Sequence, residues 1–378
     1  MGHDSASVSH GTWAERAFAP GSEIRDDADG ALYRVGRFLG RGGMGEVHEV
    51  VRVDSGVRYA LKCLLLQHAR NAKTIERTRR EALTLRELRH PNVVPVHATG
   101  VLDDGLIWMV MDLLEGHTLA AVKHRMGKLP LPWALAVGRS VASGLAAVHA
   151  FAVHRDVKPD NVHLGNDATV RVLDLGAGKF HSSLMMTTAD RTLGTVPYMS
   201  PEQLTIDAPV DGRSDVFSLG TLLVELISGI HPFAPDGFDN ENVFTLVRRI
   251  VTSPVSLAAL APWVPAFVAA TIDKALARAA SERYESATAF AAALDADLDR
   301  LERAVGRREP LQTLVRHLNR APSPTGLEAP SAEPGLAARA PIGAPERAAP
   351  AAPPASRPGP AAQTVDDEAD TNMMVRRS

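Results

Sequence analysis

Eight consecutive residues, His154-Arg155-Asp156-Val157-Lys158-Pro159-Asp160-Asn161, constrain this chain more than any other feature, and thirteen residues past their Asn comes a second acid in Asp174-Leu175-Gly176. Two short motifs of this kind must be brought together by a scaffold. The length allows one, because 378 residues suffice for two or three domain-sized units or one large two-lobed domain. Apolar residues make up 45%, enough for a sizeable core. Lys plus Arg number 41 and Asp plus Glu 44, a formal charge of −3 that argues against a nucleic-acid partner. The single cysteine, Cys63, excludes an internal disulfide and suits a reducing compartment. No signal-peptide pattern is read at the N-terminus. The most apolar run, residues 216–227, is short and carries Glu225, so it reads as a core helix and no membrane span is expected. A soluble, cytoplasmic protein is expected.

The texture of the chain changes along its length. Residues 1–30 are polar and read as a flexible N-terminal arm. Val35, Phe38 and Leu39 lead into Gly40-Arg41-Gly42-Gly43-Met44-Gly45, and Val47, Val50, Val51 and Val53 follow, which predicts strand, tight loop and strand. Further strands are predicted over 57–66, 93–99 and 106–111. A helix is predicted over 73–88, with Ile75, Ala82, Leu85 and Leu88 on one face. A polar joint spans 112–116. Helices are then predicted over 133–149, 216–227, 243–251, 264–277 and 286–301. Residues 321–378 are rich in Pro and Ala with little apolar periodicity, and cannot bury enough surface to offset their ordering entropy. The low-complexity tail is placed at 306–378, with Leu311, Leu314, Val315 and Leu318 able to form one short amphipathic helix before it.

The motifs match, in their order along the chain, a known pattern for magnesium-dependent phosphoryl transfer to a hydroxyl. Such a reaction needs a carboxylate to receive the hydroxyl proton, and an amide and a carboxylate to hold the metal. Asp156 takes the first role, Lys158 neutralises the moving phosphate, and Asn161 and Asp174 hold the magnesium. His154 reads as a packed brace for the loop. Gly40, Gly42 and Gly45 fit G-x-G-x-x-G, a spacing that dinucleotide sites share. Here a β-branched run that includes Val47 follows instead of a helix, which favours a flap over phosphates, with a plain glycine hairpin as the alternative. Lys62, in Tyr59-Ala60-Leu61-Lys62, can hold phosphates if a carboxylate keeps it aimed, and Glu81 is the expected partner. Taken singly, Lys62 and Glu81 would read as surface residues; their order along the chain argues otherwise.

On these residues the chain resembles a bacterial eukaryotic-type serine/threonine protein kinase, from about residue 33 to about 305. Gly194-Thr195, Ser200-Pro201-Glu202 and Ser214-Asp215-Val216-Phe217-Ser218-Leu219-Gly220 extend the likeness. The resemblance implies an α+β, two-lobed kinase fold. A small β-rich N-lobe with one key helix spans 31–113, and a larger helical C-lobe spans 114–305. It implies ATP and Mg²⁺, or Mn²⁺ in its place, as cofactors. ATP contacts are implied at Leu39, Val47, Ala60, Met111 as gatekeeper, Asp112 and Leu114 at the hinge, and His163. It implies that Asp215 anchors the catalytic loop and that Arg283 pairs with Glu202. Lys158, two residues after the base, matches the serine/threonine branch.

Two positions depart from the family pattern: Leu175 stands for Phe, and His163 for an apolar residue under adenine. Gly176 closes the same motif as Leu175. Arg155 is suited to capture a phosphate on the activation segment, where Thr187, Thr188 and Thr192 are candidate autophosphorylation sites, and Thr195 is implied to line the acceptor site. Partners are then protein substrates with Ser or Thr acceptors, and a second copy of the chain in a transient homodimer. The rival readings are a pseudokinase-like scaffold and a small-molecule phosphotransferase.

Overall fold

A computed structural model describes residues 18–42, 45–64, 86–101, 107–174, 196–237, 242–306 and 310–320. All of them belong to one unit, which runs to Pro322. The first part is an antiparallel sheet of six strands. These are β1 (Glu23–Arg25), β2 (Leu32–Gly42), β3 (Gly45–Arg52), β4 (Arg58–Leu64), β5 (Val96–Val101) and β6 (Ile107–Asp112), in the order β1-β2-β3-β4-β6-β5. Because side chains alternate across a strand, register decides which residues face which core. Leu61, Cys63, Trp108 and Val110 pack outward with Tyr33, Val35 and Val50. Ala60, Met109 and Met111 pack inward, against the core of the helical part. Lys62 lies two residues from Ala60, so it shares that inward face.

Beyond the sheet come β7 (Gly116–Thr118), α1 (Leu119–Met126), α2 (Leu131–Val148), β8 (Val162–Gly165) and β9 (Val170–Val172). They are followed by α3 (Gly212–Ser228), α4 (Val243–Thr252), α5 (Leu257–Leu260), α6 (Ala266–Ala275), α7 (Ala287–Val305) and α8 (Leu311–Arg320). The inward residues expected of α2, namely Leu135, Val137, Val141, Leu145 and Val148, are all fully buried. By length and composition α2 could cross a membrane, but 67% of it is buried within the fold, which fits a core helix. Helix α3 is buried almost all round, as a central helix must be. Its side chain Asp211 caps the first turn, and Gly229 at φ 80° ends the helix.

The structure corrects several expectations. The polar arm does not extend to residue 30. Phe18 and Ile24 are buried, Ile24 pairs with Tyr33 across β1 and β2, and buried Asp26 accepts from Arg86 at 2.8 Å and from the Thr99 amide at 3.1 Å. A three-residue strand with one apolar side chain has no visible periodicity, and the ion pair that sheathes it joins residues sixty apart. Strand β5 begins at Val96 rather than 93. The Val94 amide donates instead to Val172 of β9, and Pro95 has no amide to continue a ladder. The short elements β7, β8, β9 and α1 were not anticipated, being too brief to show a period. The tail begins after α8 rather than at 306. Leu314, Val315 and Leu318 are buried, and Arg125 donates to the Leu318 carbonyl at 2.7 Å. Residues 321–378 lie outside the described residues, as does the predicted helix over most of its length; Arg86 and Glu87, near its end, form a turn.

Candidate active site

The loop of residues 154–161 is shaped by one buried carboxylate. Asp215, in the first turn of α3, accepts from the His154 amide at 2.8 Å, the Arg155 amide at 2.7 Å and His149 Nε2 at 2.7 Å. Arg155 sits at φ 64° and Asp174 at φ 64°. Non-glycine residues adopt this left-handed conformation only where their surroundings over-determine it, and functional sites are where they cluster. His154 is fully buried. Its Nδ1 faces the Asp156 amide at 3.3 Å and its Nε2 the Leu173 carbonyl at 2.7 Å. The amide must donate, so Nδ1 accepts and Nε2 donates. The expected bracing role of His154 is therefore a bridge from the Asp156 loop to the residue before Asp174.

Asp156 is buried, and its two oxygens differ. Oδ2 accepts from Asn161 Nδ2 at 2.7 Å and lies 3.0 Å from Lys158 Nζ. Oδ1 is buried with no hydrogen-bond partner among the described residues. A buried carboxylate oxygen is costly to leave without a partner, and an acceptor hydroxyl is one group that would pair with it. Asn161 Nδ2 also donates to the Asp156 carbonyl at 2.8 Å. With both amide hydrogens used inside the loop, its oxygen remains for a metal. Asn161 is joined to Leu173 by a 2.9 Å backbone bond, so Asp174 follows directly beside it. These donors fit a hard divalent cation, which takes oxygen ligands. That cation would supply charge neutralisation at the phosphates when bound.

Lys62 Nζ lies 2.5 Å from Asp174 Oδ1, which ties the sheet to the second acid of the sequence pattern. The expected partner Glu81 lies outside the described residues, as do Leu175, Gly176, Thr187, Thr188, Thr192 and Thr195. The glycine loop is a β2–β3 hairpin in which Gly42 pairs with Gly45, as the strand–loop–strand reading expected. Arg41 and Glu46 form an ion pair across its base. Gly40 is opposite Val47, and Val47 is opposite Lys62. Met111 is opposite Ala60. Leu39 lies at a register shift and is partly exposed. Asp112 accepts from His97 Nε2 at 2.6 Å, and Leu114 packs on the main core. Gly116 follows at φ 136°, and any Cβ there would meet the Leu164 carbonyl at 2.2 Å and the His163 ring at 3.0 Å, so the exit of the hinge requires glycine.

His163 is buried on β8, where it pairs with Thr118 and Arg171. Burial, aided by the charges of Arg171 and His117, holds its imidazole below the ordinary range. Its Nδ1 has no partner among the described residues. Replacing the ring by an apolar side chain removes a buried unsatisfied atom worth about 1–3 kcal/mol. His163→Leu is therefore expected to leave ATP affinity equal or better in calorimetric titration. A large loss of affinity would assign the ring nitrogen a contact with the nucleotide.

Glu202 and Arg283 form the expected pair, with Nη1 to Oε1 at 2.7 Å and Nη2 to Oε2 at 2.9 Å. Sequence reasoning missed three sets of contacts: His149 on Asp215, Gln203 on the Arg155 carbonyl at 2.9 Å, and the partners of Glu225, whose place in a core helix it did read. Glu225 accepts from Tyr198 at 2.5 Å and from Lys123 at 2.6 Å, which explains an acid inside a core helix. No local signal marks these residues, because their partners are remote in sequence.

Comparison with known proteins shows the family to which this fold and site belong. Residues 33–289 match the protein kinase domain family. The chain belongs to that family. It is 32% identical to the serine/threonine-protein kinase PknH of Mycobacterium tuberculosis over 314 residues, covering 80% of this chain and 49% of PknH. It is 34% identical to PknA of the same species over 313 residues, covering 81% of this chain and 68% of PknA. The chain thus spans about half the length of PknH. The crystal structure of the M. tuberculosis PknI kinase domain superposes with a TM-score of 0.56 at 28% identity, over 74% of this chain and 99% of that one.

Proposed function

We propose that this chain is an ATP-dependent serine/threonine protein kinase that uses Mg²⁺, or Mn²⁺ in its place. The observation that carries the reading is the pair of unlike oxygens on Asp156: Oδ2 is held by Asn161 and Lys158, and Oδ1 is buried with no partner among the described residues. An acceptor hydroxyl at Oδ1 is oriented by it. As the hydroxyl oxygen bonds to the γ-phosphorus, the bond from that phosphorus to the bridging oxygen breaks and ADP leaves. The hydroxyl proton passes to Oδ1. Lys158 stands beside the transferring phosphoryl and Lys62 beside the remaining phosphates, where positive charge lowers the barrier. The metal site falls to Asn161 and Asp174.

The scaffold reading is not favoured, because Lys62, Asp156, Asn161 and Asp174 are all present and the described geometry joins them. We place the chain in a reducing, cytoplasmic setting, which suits its single cysteine, Cys63, buried as a free thiol. The test is incubation with labelled ATP and magnesium, with and without a basic protein acceptor, followed by acid hydrolysis. Labelled phosphoserine or phosphothreonine is expected. Bound nucleotide with no transfer would favour the scaffold.

The Arg155 Nε is buried without a partner among the described residues, which suits capture of a phosphate. Autophosphorylation at Thr187, Thr188 or Thr192 by a transient second copy follows, and mass spectrometry of the active enzyme is expected to find it. An active enzyme unmodified on this segment would rule it out.

A further inference from the structure

Gln203 lies in a single 3-10 turn, Pro201–Leu204, and its side chain works in two directions. Its Oε1 accepts from the Ser200 amide at 3.1 Å and from Ser200 Oγ at 3.2 Å, which closes the turn as a capping box. Its Nε2 donates to the Arg155 carbonyl at 2.9 Å. That carbonyl belongs to the peptide unit that joins Arg155 to Asp156. The N–H of the same unit faces His154 Nδ1 at 3.3 Å, and the preceding N–H, on Arg155, is held by Asp215 at 2.7 Å. The left-handed Arg155 is thus gripped on both sides, by Asp215 on its amide and by Gln203 on its carbonyl. A peptide plane has two neighbouring dihedrals as its only soft freedoms, so holding its oxygen and its N–H sets the direction in which the next side chain leaves. The next side chain is Asp156.

The turn that carries Gln203 is anchored on its other side as well. Tyr198, in the preceding turn Val196–Tyr198, donates to buried Glu225 at 2.5 Å, and Lys123 of α1 completes that carboxylate at 2.6 Å. The chain between the activation segment and α3 is therefore tied to the core at Tyr198 and to the catalytic loop at Gln203.

We propose that Gln203 is a positioning residue for phosphoryl transfer. Through its bond to the Arg155 carbonyl it sets the Arg155–Asp156 peptide, and so couples the turn that follows the activation segment to the catalytic base. This inference rests on the kinase reading. Gln203 touches neither nucleotide nor acceptor, and acts by way of Asp156.

The test is Gln203→Glu in the full chain. Glu keeps the length and an oxygen for Ser200, loses the Nε2 donor, and sets a carboxylate oxygen against the Arg155 carbonyl. A base displaced by about 1 Å can cost on the order of 10²-fold. We expect kcat for a protein acceptor to fall roughly 10- to 100-fold, with the ATP dissociation constant and Tm at wild-type values. Gln203→Lys restores a donor but cannot accept from Ser200, and is expected to recover most of kcat. Wild-type kcat in Gln203→Glu would overturn the proposal. So would a loss that tracks a lower Tm or weaker ATP binding, or a Gln203→Lys enzyme as slow as Gln203→Glu. A wild type that transfers no phosphate would overturn the kinase reading and this proposal together, whereas an active wild type with an equally active Gln203→Glu would overturn this one alone.

Discussion

Asp156→Asn is expected to cut phosphotransfer by about 10²- to 10⁴-fold while leaving the fold and ATP binding in place. The substitution is nearly isosteric. Asn can keep an oxygen toward Asn161 Nδ2 and Lys158 Nζ, the two groups at Oδ2. What it loses is the capacity to take a proton at Oδ1, the buried atom with no partner among the described residues. It also loses the negative charge that orients Lys158. The residual rate should come from the metal, Lys62 and positioning, which the substitution leaves untouched. Steady-state transfer of label to a basic protein, beside a nucleotide titration, reads both quantities. An Asn variant of wild-type rate would remove Asp156 from the base role. One that fails to bind ATP would show that its charge shapes the loop.

Arg283→Met is expected to have the largest effect on stability. The Arg283 side chain is fully buried, and its guanidinium donates to both oxygens of Glu202 and to the carbonyls of Ala277, Arg213 and Arg278. It also lies over the Phe217 ring at 4.8 Å. Removing one member of such a pair leaves the other charge buried and alone, which costs about 3–5 kcal/mol, a fall in Tm on the order of 10 °C. Thermal unfolding checks this directly.

The pH dependence has a definite sign. Burial alone would raise the Glu202 carboxyl, but hydrogen bonds from Arg283 and Ser214 and the guanidinium charge outweigh it and hold the group below its ordinary value of 4.5. Its contribution is therefore complete above about pH 4.5 and is lost as pH falls through the lowered value. The gap in Tm between wild type and Arg283→Met should narrow over that acid range, because a protonated Glu202 no longer needs the cation. A constant gap would mean that the carbonyl contacts, and not the ion pair, hold the turn to α3.

What could be read from the chain alone was whatever is local in sequence. The octet around Asp156, the acid at Asp174 and the glycine spacing before Val47 each need only a few consecutive residues to state their chemistry. The inward face of α2 declares itself through a period of a few residues, and α3 through an almost unbroken apolar run. Asp215, Glu202 and Arg283 were legible too, but through family likeness and not through any periodicity.

Tertiary structure alone decided the rest. Asp26 with Arg86, Glu225 with Lys123 and Tyr198, His149 with Asp215, and Gln203 with Arg155 join residues between 27 and 102 positions apart. Each residue, seen singly, is an ordinary polar side chain. Only the packed chain takes them out of water, and a buried polar group must then find a partner wherever the fold has placed one. The same rule hid the short strand β1 inside what looked like a loose arm, and Asp156 Oδ1, buried with no partner among the described residues, is the exception to it.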